Sequence, residues 1–343
     1  MKFQQLNQVR STDFQFDWSV LDTMARPRRN TTPQMVFDYL AACKQREGEQ
    51  FSNLKKLELE IDRGDGLRIT LPFGPLYSQF VIDVRDMRHM RRRDDPEGQY
   101  QFGQHMFSFV HESRNEITIF CDNPAAVSEI VLNHFQSEFK MKIRKLEIGP
   151  GNITESVVVL SQWLAVNQHP VQTLYISDHS DHIDPDVFKF ILTTIRPTER
   201  LWSNVKVPPG FTHQFDSTCE TLDFGNHGQW LTVENLLNKG GQRIVAGNTS
   251  FTNWHIIEYL NRWIPRRFEI GHEILDLELQ DQVELSAIVS LVSHSKEDVE
   301  GRTFGNTGES RRIKFNDGRK VKLNVSYSNP KKIKVSLWPQ PNQ

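Results

Sequence analysis

A three-position apolar signature recurs along the chain and constrains its fold more than any other feature. Apolar residues stand at relative positions 1, 4 and 6 in Leu54/Leu57/Leu59, Ile143/Leu146/Ile148, Val171/Leu174/Ile176, Trp202/Val205/Val207, Cys219/Leu222/Phe224 and Ile274/Leu277/Leu279. A weaker copy lies at Ile244/Ala246. The last two positions of each copy are separated by one residue, so they share one face of a short strand. From Leu146 onward the copies fall roughly 17 to 33 residues apart, which brackets the leucine-rich-repeat period.

Helix signals fill the intervals. After Ile148, Thr154 is a candidate N-cap, with Val157, Leu160 and Leu164 on one helical face. After Ile176, Asp184 stands as N-cap before Pro185, with Val187, Phe190 and Ile191 behind it. Thr232 opens a short helix carrying Val233, Leu236 and Leu237, which Lys239-Gly240-Gly241 ends. Thr252 or Asn253 caps a helix with Ile256, Ile257 and Leu260 inward, stopped by Pro265; Val283 to Val292 forms the last one. Strand–helix units that cannot bury their own apolar faces must stack on their neighbours. A doubly wound sheet would also alternate strands and helices, but the repeated signature favours the stack.

The expected fold is therefore α/β: a degenerate leucine-rich-repeat-like strand–helix stack from about residue 140 to 292, with β-rich N- and C-terminal flanks. It is degenerate because Gly151, His179, Gly210 and His227 stand where such repeats usually carry asparagine. Leu146, Leu174, Leu222 and Leu277, the middle anchors, should be buried. In the N-terminal flank, strands are expected between residues 67 and 120 around a polar loop from Arg88 to Gln101. In the C-terminal flank, Asn316-Asp317-Gly318 marks a hairpin turn between Ile313–Phe315 and Val321–Val325, and Ile333 to Trp338 forms a further strand.

Composition excludes several classes. A formal net charge of −2 over 343 residues argues against a nucleic-acid binder, which needs a Lys/Arg excess. Cys43, Cys121 and Cys219 are too few and too scattered for a disulfide framework or a zinc site. A polar stretch from Met1 to Arg10 and the lack of any apolar run near the ~18–20 residues of a membrane span point to an intracellular, cytoplasmic or nuclear protein. Asp178 to Asp186 holds His179, His182 and several carboxylates that could ligate a metal. A polar loop feeding a helix N-terminus accounts for them better. The basic run Arg88 to Arg93 is followed at once by Asp94, Asp95 and Glu97, which largely cancel it. Trp163, Trp230, Trp254 and Trp263 are expected to fill core space. Nothing has the spacing of a phosphate-binding loop or a nucleophile elbow, so no enzymatic activity, cofactor or metal is expected.

Two ordered segments carry a family resemblance. Trp230-Leu231-Thr232-Val233-Glu234-Asn235-Leu236-Leu237 is followed by Ser250-Phe251-Thr252-Asn253 and Tyr259-Leu260-Asn261-Arg262-Trp263-Ile264. With Asp317-Gly318-Arg319 and the closing Leu337-Trp338-Pro339, they resemble the type 2 F-box-associated domain. The resemblance covers residues 115–343 and leaves 1–114 as a divergent N-terminal region. It implies recruitment of a target protein to an SCF-type ubiquitin ligase, with the chemistry on partner subunits. Family members dock on the Skp-type linker through an N-terminal F-box. Residues 1–50 carry no proline-led apolar helix, and only Phe37 to Ala42 offers a helical remnant, so weak or absent linker binding is expected. The alternatives are a stand-alone binding or decoy protein and, with least support, a metal-dependent hydrolase built on the 178–186 loop.

The two-residue strand period also places a recognition surface. The residue between the last two anchors must point away from the core, which puts Glu147, Tyr175, Lys206, Asp223 and Glu278 on a candidate protein-binding face.

Overall fold

Local sequence and strand pairing build one mixed sheet from this chain. The computed structural model describes residues 56–61, 66–73, 78–90, 96–113, 115–149, 155–177, 183–214, 217, 219–237, 243–263, 274–292, 295–297, 302–304, 308–315 and 320–337. The first part runs β1 (Lys56–Ile61), β2 (Leu67–Phe73), β3 (Ser78–Asp86), β4 (Gly98–Phe102), β5 (His105–Ser113) and β6 (Glu116–Cys121). The middle follows as α1 (Pro124–Phe139), β7 (Lys142–Ile148), α2 (Glu155–Val166), β8 (Val171–Ser177), α3 (Pro185–Thr194) and β9 (Pro197–Asn204). It continues through β10 (Thr221–Asp223), α4 (Val233–Leu237), β11 (Arg243–Ala246), α5 (Asn253–Trp263), β12 (Ile274–Glu278) and α6 (Leu285–Leu291). The last strands are β13 (Ser295–Glu297), β14 (Arg302–Phe304), β15 (Gly308–Phe315), β16 (Lys320–Ser326) and β17 (Lys332–Leu337).

Strands β7 to β12 stand in chain order, each parallel to the next, and β1 extends the parallel run beside β7. Parallel neighbours need crossovers, and crossovers of one hand between consecutive strands place their helices on one face. The helices pack in that way: α1 against α2, α2 against α3, α4 against α5, and α5 against α6. Antiparallel arms complete the sheet. On the N-terminal side β2 pairs with β1 and β3, then β3 with β6 in parallel, so the sheet runs across residue 114 without a break. On the C-terminal side β17 pairs with β12, then β16 and β15 follow as hairpin partners.

Alternation explains the core. Leu146, Leu174, Leu222 and Leu277 are all buried, as the signature requires, and face the helix layer with Leu201, Ile244 and Leu275. The helix starts are built from the residues that sequence marks. The Asp184 side chain accepts the N–H groups of Asp186 and Val187 at 2.8 and 3.2 Å. Thr232 and Asn235 exchange hydrogen bonds around the start of α4, and the Asn235 amide also donates to the His213 carbonyl at 2.8 Å. Thr252 pairs with His255 in the same positions on α5, while Asn253 bridges to the Gln282 carbonyl and the Glu284 N–H. Trp230 is packed edge-on against Phe188, Phe211 and Phe224.

Several expectations change. The polar loop from Arg88 to Gln101 ends in strand β4, which closes on β5. Helix α1, sixteen residues long, had no place in the sequence reading; Asn123 caps it ahead of Pro124. Trp163, Trp230 and Trp263 are buried, whereas Trp254 is 65% exposed on α5. In β9 the inward residues are Leu201 and Ser203, so Trp202 faces away from the helices. Thr154, Pro265, Cys43, the hairpin turn 316–318 and the helix expected over 33–44 lie outside the described residues.

Candidate protein-binding face

The sheet face opposite the helices carries none among the described residues, and strand register sets the height of each side chain on it. One row reads Glu147, Tyr175, Trp202, Asp223, Val245, Asp276 and Lys334, each opposite the next. A second row, two residues nearer the starts of the parallel strands, reads Glu58, Lys145, Thr173, Arg200, Thr221, Arg243 and Ile274, with Ser336 of the antiparallel β17 beside it.

At the centre sit two aromatic rings. Tyr175 and Trp202, both half-buried, hold their ring centroids 5.8 Å apart at 47°. The Lys145 ammonium stands 5.0 Å from the Tyr175 ring centroid and pairs with Glu147. Burial pulls the Lys145 pKa down, but its hydrogen bond to Glu147 and the charges of Glu147 and Glu58 outweigh burial and leave it raised. On the far side of the rings Arg200 pairs with Asp223 at 2.8 Å, and the second Asp223 oxygen accepts the Gly225 N–H at 3.1 Å. Arg144 reaches Glu58 at 3.5 Å. Exposed pairs of this kind contribute about 0–1 kcal/mol each. Their consequence here is directional: the charges beside the rings are already ion-paired, although Arg200 Nε has no hydrogen-bond partner, so the aromatic surface has most to gain from a partner.

The expected site residues separate on this surface. Glu147, Tyr175 and Asp223 share the central row. Lys206 does not: β9 ends at Asn204, and Lys206 is exposed in the following loop, where its carbonyl accepts the Ile183 N–H. Trp202 takes the place expected for it. Glu278 faces the open side but stands two residues beyond the row, whose β12 member is Asp276. Its carboxylate is a clamp, accepting from the Asn329 side chain at 3.1 Å and the Asn248 N–H at 3.2 Å, which lower its pKa. No sequence signal marks Trp202: Leu201 is the matching anchor only through its pairing with Leu222.

The other candidates take structural roles. Asp184 is an N-cap and Asp186 pairs with Lys189 at 3.4 Å; residues 178–182 lie outside the described residues. Among the described residues no group of His, Cys, Asp or Glu is arranged to hold a metal ion. Arg88 pairs with Asp86 at 2.7 Å and, by its hydrogen bonds, holds that carboxyl down to about 2. Cys121 and Cys219 are free thiols. Among the described residues no helix is long and apolar enough to cross a membrane.

The chain matches no family model, curated protein or solved structure.

Proposed function

We propose that this chain is a protein-recognition module that seats its target on the uncovered sheet face, as the substrate receptor of an SCF-type ubiquitin ligase. The observation that carries the reading is the Tyr175–Trp202 pair, standing on a face that carries no helix among the described residues, between charges that are already paired. Aromatic residues dominate binding energy at protein interfaces, and a rim of mixed charge around them suits a specific protein partner. The chain order of the parallel strands and the single helix layer support a leucine-rich-repeat-like stack, an architecture that offers its open face to partners. The ligase assignment rests on the resemblance of the 230–237 and 250–264 segments to the F-box-associated domain. In this reading no residue of the chain performs chemistry.

The test compares wild type with Tyr175→Ala/Trp202→Ala. Both side chains lie outside the core, so thermal melts should stay close to wild type while affinity enrichment loses its partners. Normal folding with the same partners at the same yield overturns the face assignment. Gel filtration with the Skp-type linker decides the rest. A stoichiometric complex that needs residues 1–50 supports the ligase receptor, and its absence leaves a stand-alone binding protein.

A further inference from the structure

Just beyond the aromatic pair, toward the ends of β8 and β9, the open face carries two small polar side chains. Ser177 follows Tyr175 by two residues and Asn204 follows Trp202 by two, so both stand on the rings' face, opposite each other. Both are half-buried, and neither the Ser177 hydroxyl nor the Asn204 amide makes a hydrogen bond among the described residues. Unlike Arg200 Nε and Asp276 Oδ1, their polar atoms are not sealed from solvent. The Asn204 amide lies where only glycine leaves room, since a Cβ at Gly225 would stand 2.7 Å from Asn204 Oδ1. The arrangement recurs one strand on. Asn226 is exposed, its amide equally unbonded among the described residues, and a Cβ at Gly247 would stand 2.9 Å from its Oδ1.

The main chain beneath the rings is closed to a partner. Strand β8 is paired with β7 and β9, and β9 with β8 and β10, so no strand of a target can add to the sheet here. An extended segment lying across this face brings N–H and C=O groups that only side chains can meet. A carboxamide supplies both halves, N–H donors and a C=O acceptor, and so complements a peptide group.

We propose that Asn204, with Asn226 one strand on, hydrogen-bonds the main chain of an extended segment of the target, while a side chain of that segment seats on Tyr175 and Trp202. The inference rests on the reading of the open face as a protein-binding surface. It adds the conformation of the partner and the residues that select it. A helix fits less well, because its N–H and C=O groups are bonded within itself. A nucleic acid needs free cations for its phosphates, and Lys145 and Arg200 beside the rings are ion-paired. A polysaccharide stacks best on a flat platform, and these two rings are inclined at 47°.

The experiment selects binders to the full chain from a phage-displayed library of random short peptides. The selected peptides are resynthesised with a fluorophore for anisotropy, and labelled laminarihexaose serves as the sugar probe. Asn204→Ala removes no hydrogen bond of the fold, so it should melt as wild type does and weaken peptide binding about fivefold to tenfold. Methylating the peptide nitrogens one at a time should reveal a position with a loss of similar size. That loss should vanish in Asn204→Ala, because the methyl group and the truncation remove the same bond. A merely structural role for Asn204 leaves the two losses additive. Asn226→Ala should act in the same direction and serves if Asn204→Ala does not fold. The proposal is overturned if no methylated position couples to either asparagine, if no selected peptide is lost by Tyr175→Ala/Trp202→Ala, or if the hexasaccharide binds more tightly than the peptides. Peptides that need the aromatic pair and ignore both asparagines remove the main-chain contact alone. Peptides indifferent to the aromatic pair remove the face itself, so the two failures are separate results.

Discussion

The parallel centre, β7 to β12, and the antiparallel C-terminal arm, β15 to β17, bury the same kind of residue and display different ones. Leu174 in the centre and Leu323 in the arm are each 0% exposed and belong to one continuous core. On the opposite face the centre closes its charges locally, Lys145 with Glu147 along one strand and Arg200 with Asp223 across two. The arm instead sets lysine two residues from lysine, at Lys320/Lys322 and Lys332/Lys334. Like charges on one sheet face repel, and Lys332 offsets part of that by pairing across the seam with Asp276 at 3.6 Å. The comparison teaches that the core layer fixes the architecture, while the uncovered face is free to differ from one end to the other.

The largest expected effect asks whether the shared core is one unit. Leu174→Ala and Leu323→Ala should each cost about 2–5 kcal/mol, measured by urea unfolding. A single transition in both variants supports the continuous core. A separate, earlier transition in Leu323→Ala alone would mean that the arm unfolds by itself and that the comparison joins two independent bodies.

A smaller effect separates the two regions by backbone approach. Gly308→Ala in the arm drives a Cβ against the Val325 carbonyl, a backbone atom that cannot swing aside, and should cost about 1–3 kcal/mol. Gly225→Ala, after β10 in the centre, meets the Asn204 side-chain amide at 2.7 Å, which can turn away. The positive φ of Gly225 still makes that substitution unfavourable, by about 1 kcal/mol. Thermal melts showing Gly225→Ala to be the more damaging would reverse this order.

The smallest effect lies at the seam. Glu278 joins Asn248 of the centre to Asn329 of the arm, and those hydrogen bonds hold its pKa below the ordinary 4.5. A depressed folded pKa means that the ionised clamp stabilises the fold above the unfolded value. That contribution is lost as pH falls through the folded one. Stability should therefore decline below about pH 4.5, and Glu278→Gln should flatten that part of the profile. Identical acid profiles for the two proteins would show that the carboxylate does not couple centre to arm.

Much of this molecule is legible in its residues. Asp184-Pro185 and Thr232 declare helix starts because a side-chain oxygen before a helix has orphan N–H groups to satisfy. Helix α1 was missed because it follows β6 without a copy of the strand signature to frame it. Strand β4 was missed because Gly98-Gln99-Tyr100-Gln101-Phe102 buries only its last residue, too little for alternation to register. On the candidate face, Glu147, Tyr175 and Asp223 were found, and Trp202, Asp276 and the lysines of β16 and β17 were not.

The two misplaced residues show where sequence stops. Lys206 and Glu278 stand four and two residues beyond Trp202 and Asp276, the members of the row, which carries Lys206 past the end of β9. Both offsets are even. The two-residue alternation of a strand sets which face a side chain takes, and that parity is written in the order of apolar and polar residues. Height along the sheet is set by hydrogen bonds to the neighbouring strand, after a crossover whose length and path vary from one unit to the next. By itself, the sequence determined the middle anchors Leu146, Leu174, Leu222 and Leu277 and the helix starts at Asp184 and Thr232. Only the tertiary structure decided the register, because pairing is a contact between distant segments, and with it which residues meet as a single surface.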